Sequence, residues 1–284
     1  MAARALLTLG FLSCASACSA QQTLPWADTH SSRLVINPDG DLTVSAAGQV
    51  VNGYSPLTAA AAAGDTAVTV QSLALLGVKA DDLVLIIQMQ GAQIRSTDDD
   101  QYGTVQSLQG AGLYELLRVR GVDGPNSKVL LDTRCGGLRN AYSLAGHSQV
   151  VRVPQVGNFT ITTGASVKAL GWDGQSGGIV AVRASGSVTI DGAIDVSGQG
   201  FRGGAAQTGL VAQADETVDR SGFRTTQASL GAAKGESIAG SAVEYAAASG
   251  NFGRGAPANG GGGGNVGQLR GRQRAKTAGQ LSLQ

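Results

Sequence analysis

Apolar and polar residues alternate in short pairs along residues 156–204, and most pairs are closed by a glycine turn. Alternation with a period of two predicts strands with one buried face. These strands are very short and no helix-forming segment separates them, which favours rungs of a β-solenoid or β-helix over a sandwich. The pairs are Phe159/Ile161, Val167/Ala169, Ile179/Ala181, Val188/Ile190 and Ile194/Val196.

Residues 65–154 carry longer apolar and β-branched runs, separated by Gly, Asp, Asn and Pro turns. Such runs predict strands, and a segment of this length suffices for a small core of its own. We therefore expect an all-β chain in which a small β-barrel or sandwich precedes a solenoid over residues 155–204. The expected strands are 66–70, 83–89, 113–122, 128–131 and 149–153.

The flanking segments predict less structure. Residues 21–64 contain Pro25, Pro38 and scattered short apolar pairs, so we expect an extended entry or tether. Residues 205–265 form a glycine-rich extension that buries too little side-chain surface to fold alone. It either drapes over the solenoid or serves as a spacer.

Residues 1–20 have the pattern of an export signal, with Arg4 before the apolar run 5–12 and small residues after it. Cleavage before Cys18 resembles a bacterial lipoprotein signal and predicts lipid attachment at Cys18. Cleavage after Ala20 predicts a soluble secreted protein instead. Both alternatives place the chain outside the cytoplasm, at the cell surface, in the outer membrane or in the medium, with a lipid anchor as its membrane contact.

Composition excludes several classes of function. Charged residues are 14% of the chain, aromatic residues 4%, glycine reaches 43 residues, and the formal net charge is +1. That charge provides no field for nucleic acid. Once the leader is removed or acylated, Cys135 has no partner, so we predict no disulfide. We also predict no cofactor and no metal site, because no His or Cys spacing suits a metal.

The last segment, residues 266–284, is basic and poor in glycine. One interpretation is a patch for phosphate or acidic polysaccharide. The other is a frameshift, because a plausible back-translation of residues 266–274 read one base later continues the glycine-rich tract. On that hypothesis the chain is the front of a longer protein.

Two glycine-containing motifs match those of a catalytic serine and of a dinucleotide site, but the secondary structure predicted around them does not suit either function. Residues 174–178 match G-x-S-x-G around Ser176, but a strand pattern follows where a nucleophile elbow needs a helix, and both His30 and His147 come earlier in the chain. Residues 198–203 match G-x-G-x-x-G, again without the βαβ context of a dinucleotide site. We expect turns at both places.

Carboxylates raise the alternative of a β-helix enzyme acting on carbohydrate. Asp173, Asp191 and Asp195 lie near the predicted turns. Residues 98–100 form a separate acidic cluster, for which a hard-cation site and a solvated loop are the two interpretations. Glycoside cleavage needs two such groups converging in a groove, whereas Asp-Gly is an ordinary turn dipeptide. We favour the turn role and assign no catalytic residue.

Two aromatic side chains, Trp172 and Phe201, lie in glycine-rich surroundings. Such rings either stack on sugars or cover the core between turns. They are the candidate glycan contacts.

Long blocks of the sequence resemble the N-terminal region of large, exported, glycine-rich surface proteins of myxobacteria and related bacteria, labelled adventurous gliding motility or adhesin-like proteins. The blocks are DDLVLIIQMQGAQI (81–94), YGTVQSL (102–108), QVVRVPQVGNFTI (149–161), WDGQSGGIVAVRASGSVTIDGAIDVSGQGFRGG (172–204) and GAPANGGGGGN (255–265). The resemblance implies a surface location and a role in adhesion or gliding, and it carries over no catalytic residue. We thus expect a structural or adhesive surface module that contacts polysaccharide or surface proteins. The alternatives are a secreted carbohydrate-active enzyme and a truncated, inactive fragment.

Overall fold

A computed structural model describes residues 39–95, 101, 103–132, 136–203 and 235–240, together with the backbone of three further strands. Within these ranges the chain is nearly all-β, which confirms the predicted fold class. Its one helix there is α1 (Leu73–Leu76). The strands are β1 (Leu42–Val44), β2 (Gly53–Pro56), β3 (Ala67–Thr69), β4 (Leu83–Gln88), β5 (Gln93–Ile94), β6 (Val105–Ser107), β7 (Tyr114–Asp123), β8 (Lys128–Leu131), β9 (Ser148–Val153), β10 (Gln155–Val156), β11 (Phe159–Ile161), β12 (Ser166–Val167), β13 (Arg183–Ala184), β14 (Val188–Ile190), β15 (Ala193–Ile194), β16 (Thr217–Asp219), β17 (Gly222–Thr225) and β18 (Phe252–Arg254).

Six strands form one curled antiparallel sheet in the order β2-β9-β4-β7-β8-β3. Its first and last strands approach each other through a bridge between Leu57 and Val70. The sheet therefore curls around its own core, in which Ile86, Leu131 and Tyr142 are fully buried. The five strands expected from the apolar runs all occur in this sheet.

Three short parallel ladders form the solenoid: β1-β11-β14, β10-β13 and β12-β15. In the longest ladder each rung repeats an apolar–Thr–apolar pattern. Leu42 lies in register with Phe159, and Phe159 with Val188. The inward-facing residues therefore stack in columns, as the period-two alternation predicts.

The predicted extended entry is wrong for its C-terminal half. Residues 42–49 form the first rung, with β1 paired to β11 and Gln49 bridged to Val167. Val44 is fully buried because it completes the apolar column of Ile161. The curled sheet thus lies in the chain between the first and second rungs, and is an insertion into the solenoid rather than a domain that precedes it.

The sheet packs directly on the solenoid along residues 179–182. Ile179 and Ala181 contact the sheet residues around Tyr54, while Val180 and Val182 point into the solenoid interior. The phenol of Tyr54 donates a hydrogen bond of 2.5 Å to the Ile179 carbonyl. One face of this segment therefore packs on the core of the sheet and the other on the core of the solenoid, whereas the alternation alone predicted one buried face.

A half-buried arginine joins the same two parts. Arg152 on β9 donates from Nε to Asp82 Oδ2 at 2.9 Å and pairs through Nη2 with Asp39, which lies three residues before the first rung. Asp82 is 1% exposed. Burial opposes the charge of Arg152, but the hydrogen bonds and charges of both carboxylates outweigh it and raise the arginine pKa. The two ion pairs of Arg152 therefore hold the sheet on the solenoid, in addition to the apolar packing.

Gly192 makes the corner between β14 and β15. A Cβ at this position would lie 2.2 Å from the Ala165 carbonyl oxygen of the rung below. Glycine is therefore required there by the close approach of two backbones, which agrees with the corner role expected for the glycines of this region.

Within the glycine-rich extension, β16, β17 and β18 form a three-stranded antiparallel sheet. Among the described residues, no helix is both long enough and apolar enough to cross a bilayer.

Candidate functional site

The candidate aromatic pair lies beside a carboxylate that the sequence did not indicate. Trp172 donates from Nε1 to Glu236 Oε2 at 3.0 Å. The indole also meets Phe201 edge to face, with ring centroids 5.7 Å apart, and His147 at 6.4 Å. Trp172 is 4% exposed and Phe201 is half-buried. Trp172 thus covers the core and has no ring face open to stack on a sugar, while part of Phe201 remains accessible.

Arg202 completes this cluster. Its backbone N–H donates to Glu236 Oε2 at 2.9 Å and its guanidinium pairs with Oε1 of the same carboxylate. Burial disfavours the ionised form of Glu236, but the hydrogen bonds and charge of Arg202, with the bond from Trp172, outweigh it and lower the pKa of Glu236. In return, the hydrogen bond and charge of Glu236 raise the pKa of Arg202.

The G-x-S-x-G segment is a turn. Asp173 Oδ1 accepts hydrogen bonds from the N–H groups of Gln175 at 2.7 Å and Ser176 at 2.8 Å. Ser176 is 7% exposed, and no helix follows it in residues 177–203. The segment thus has the hydrogen bonds of the turn expected from the sequence, and Ser176 is buried in it.

The G-x-G-x-x-G segment is also irregular over residues 198–203. It presents Phe201 to Trp172 and the Arg202 N–H to Glu236, so its glycines allow a bend rather than opening a helix at a phosphate.

The rung carboxylates lie in exposed turns. Asp195 Oδ1 accepts the Ser197 N–H at 2.9 Å, and this hydrogen bonding lowers the pKa of Asp195. Asp191 follows β14 in the turn that contains Gly192. With Asp173 bonded to its own turn, two of the three carboxylates named from the sequence have the turn role that we favoured.

Several other sequence predictions lie outside the described residues. These are the export signal and Cys18, the acidic cluster 98–100, Cys135 and the basic tail 266–284. Within the described part of the chain, no group of three or more His, Cys, Asp or Glu side chains is placed to hold a metal ion.

A second feature is the last rung of the solenoid within the described residues. This rung exposes four apolar side chains by 45–56%: Val188, Ile190, Ile194 and Val196. They line a groove of about 430 Å³ together with Phe159, Val180 and Val182. The alternation predicted that these residues face inward. It did not predict that they would be exposed at the last described rung.

No protein-family model matches this chain, and no curated protein resembles it significantly. Among solved structures, parts of phage tailspikes align weakly with this chain. The tailspike protein gp49 of Pseudomonas phage LKA1 is 18% identical, with a TM-score of 0.23 over 44% of this chain and 19% of its own. The gp61 tailspike of Pseudomonas phage phi297 is 15% identical, with a TM-score of 0.25 over 45% and 22%.

The Gp54 tailspike of Acinetobacter baumannii bacteriophage AP22, solved in complex with A. baumannii capsular saccharide, is 10% identical, with a TM-score of 0.24 over 55% of this chain and 35% of its own. This chain thus spans about a fifth to a third of the tailspikes it matches. Likenesses this weak carry no information about its function.

Proposed function

We propose that this chain is a structural or adhesive module of an exported surface protein, which contacts other surface proteins and polysaccharide through its solenoid. The export signal, the two processing alternatives at Cys18 and Ala20, and the resemblance to glycine-rich surface proteins support the location. A contribution to gliding belongs to the same proposal and rests on that resemblance.

One observation carries the binding role, namely the uncovered last rung. β11 is covered by β14, but no described strand pairs with the outer edge of β14. An unpaired strand edge beside apolar side chains is a template for another strand. The complementary partner is a β-rung of a surface protein with the apolar–Thr–apolar pattern that β1, β11 and β14 repeat.

The geometry gives no support to the carbohydrate-active enzyme considered from the sequence. Asp173 and Asp195 already bind the backbone of their own turns. A glycosidase would instead direct two such groups into a shared groove, and the groove at the last described rung of the solenoid is lined by apolar residues.

The test is cosedimentation of the purified full chain with cell envelopes from the encoding organism, and separately with its extracted polysaccharide. We expect saturable binding to envelopes that protease treatment of the envelopes reduces. Absence of binding to both preparations would contradict the proposed function.

A further inference from the structure

The carboxylate of Glu236 occupies a small receptor built by two solenoid loops. Three donors surround it: Trp172 Nε1 at 3.0 Å and the Arg202 N–H at 2.9 Å on one oxygen, and the Arg202 guanidinium on the other. Charge-assisted bonds of this kind are the strong ones in proteins. The receptor therefore has the donor set that recognises a carboxylate group.

The segment that carries Glu236 is attached independently of this carboxylate. The Glu236 N–H donates to the Arg202 carbonyl at 2.8 Å, the Ala92 N–H donates to the Ile238 carbonyl at 3.0 Å, and Gln90 Nε2 donates to the Ser237 carbonyl at 2.9 Å. Removing the carboxylate therefore leaves three hydrogen bonds that hold the segment.

A contact other than the carboxylate also orients the receptor arginine. Arg202 Nη1 donates to the Asp173 carbonyl at 2.8 Å. Its guanidinium lies against Gly174, where an added Cβ would be 2.4 Å from Nη2. Gly174 also has a φ of +100°, which suits glycine. The first glycine of the G-x-S-x-G match thus makes room for the arginine.

An apolar ring borders the same receptor. Phe201 is half-buried beside Trp172, and the Arg202 side chain is 55% exposed. A uronic acid matches this receptor. The carboxylate of a uronic acid accepts hydrogen bonds from N–H donors, and the C–H face of its sugar ring packs on an aromatic side chain.

We propose that the Trp172–Arg202 receptor binds the carboxylate of an acidic saccharide, and that Glu236 occupies it as an internal substitute until such a ligand displaces it. The proposal rests on the proposed function and specifies the class of polysaccharide. Because Glu236 is held beside the receptor by its own segment, it competes intramolecularly with a ligand carboxylate. A polymer that presents many carboxylates therefore competes better than a free sugar does.

The experiment compares full-length wild type with Glu236→Ala in calorimetric titrations with trigalacturonic acid and with its fully methylated ester. Because the variant lacks the competing carboxylate, we expect it to bind the acid at least about tenfold more tightly than wild type does. The ester, which has no charge for Arg202, binds neither protein. Equal affinity of the two proteins for the acid, or equal binding of acid and ester by the variant, would overturn the proposal.

A second pair of variants keeps the result interpretable if Glu236→Ala folds poorly. Glu236→Gln keeps the side-chain shape but removes the charge, and we expect it also to gain affinity for the acid. Adding Gly174→Ala to that variant displaces Arg202 and should abolish the gain; a retained gain would contradict the assigned receptor. If wild type binds envelopes but the variants show no gain in affinity for the acid, this inference alone is refuted. If the variants gain affinity for the acid but wild type does not bind envelopes, the proposed function alone is refuted.

Discussion

Val188 lies in parallel register with Phe159, yet Val188 is 56% exposed and Phe159 is 4% exposed. The two residues occupy equivalent positions on successive rungs, so the difference arises from what covers them. The rung of Val188 covers Phe159, and no described residue covers Val188 to the same extent. Among the described residues, the last rung therefore exposes side chains equivalent to those that are buried one rung below, which is the basis of the proposed binding role.

Replacing Gly192 by alanine should destabilise the second and third rungs. The added Cβ would lie 2.2 Å from the Ala165 carbonyl oxygen, and relief requires a backbone shift that costs about 1–3 kcal/mol. Chemical unfolding followed by circular dichroism measures the loss. Gly200→Ala is the matched control, because a Cβ there meets no atom within 4 Å; equal stability of the two variants would show that the rung corner is not tightly packed.

Arg152→Met should destabilise the protein by about 3–5 kcal/mol, since it leaves the buried carboxylate of Asp82 without its charged partner. Arg118→Met is the control. Arg118 pairs with Asp81, whose side chain is 61% exposed, and such a pair contributes at most about 1 kcal/mol. Urea unfolding of both variants compares the two losses, and a smaller effect for Arg152 than for Arg118 would contradict the junction described above.

Acid should release the Glu236 carboxylate from its receptor. The pKa of Glu236 is lowered from its ordinary value of 4.5, so its stabilising contribution is present above that value and is lost as the pH falls below it. The charged groups facing it are Arg202 and, through Arg202, Asp173, while His147 contacts the Trp172 ring.

Fluorescence of Trp172, followed in a Trp26→Phe background as the pH falls below 4.5, reports this release. Glu236→Gln has no carboxylate to titrate, so we expect its fluorescence to stay flat over that range. A fluorescence change of the same size in the Glu236→Gln variant would contradict the prediction, because it would have to arise from other carboxylates.

The sequence predicted the curled sheet well because its strands are long enough for pattern to determine them, as in β7, expected over residues 113–122 and observed over 114–123. It failed for the first rung, because β1 has three residues and its partner β11 lies more than a hundred residues later. Local alternation contains no information about that pairing.

The candidate site was predicted only in part, for the same physical reason. Trp172 and Phe201 were identified by their aromatic rings in glycine-rich surroundings, and they do contact each other. Glu236 was missed, because a single carboxylate in a segment without periodicity gives no signal until folding brings it to Trp172 and Arg202. Its carboxylate also accepts the hydrogen bond of the buried Trp172 indole.

The central claim is that the last described rung of the solenoid is the binding face. It is tested by envelope binding of a fourfold variant with threonine at Val188, Ile190, Ile194 and Val196. Threonine keeps β-propensity while removing apolar surface. The matched control places threonine at four apolar positions of the sheet region with 42–46% exposure: Leu113, Leu116, Val122 and Leu144. We expect the solenoid variant to bind at least about tenfold more weakly than wild type and the control to bind as wild type does. Equal binding by all three proteins, or a loss confined to the control, would contradict the claim.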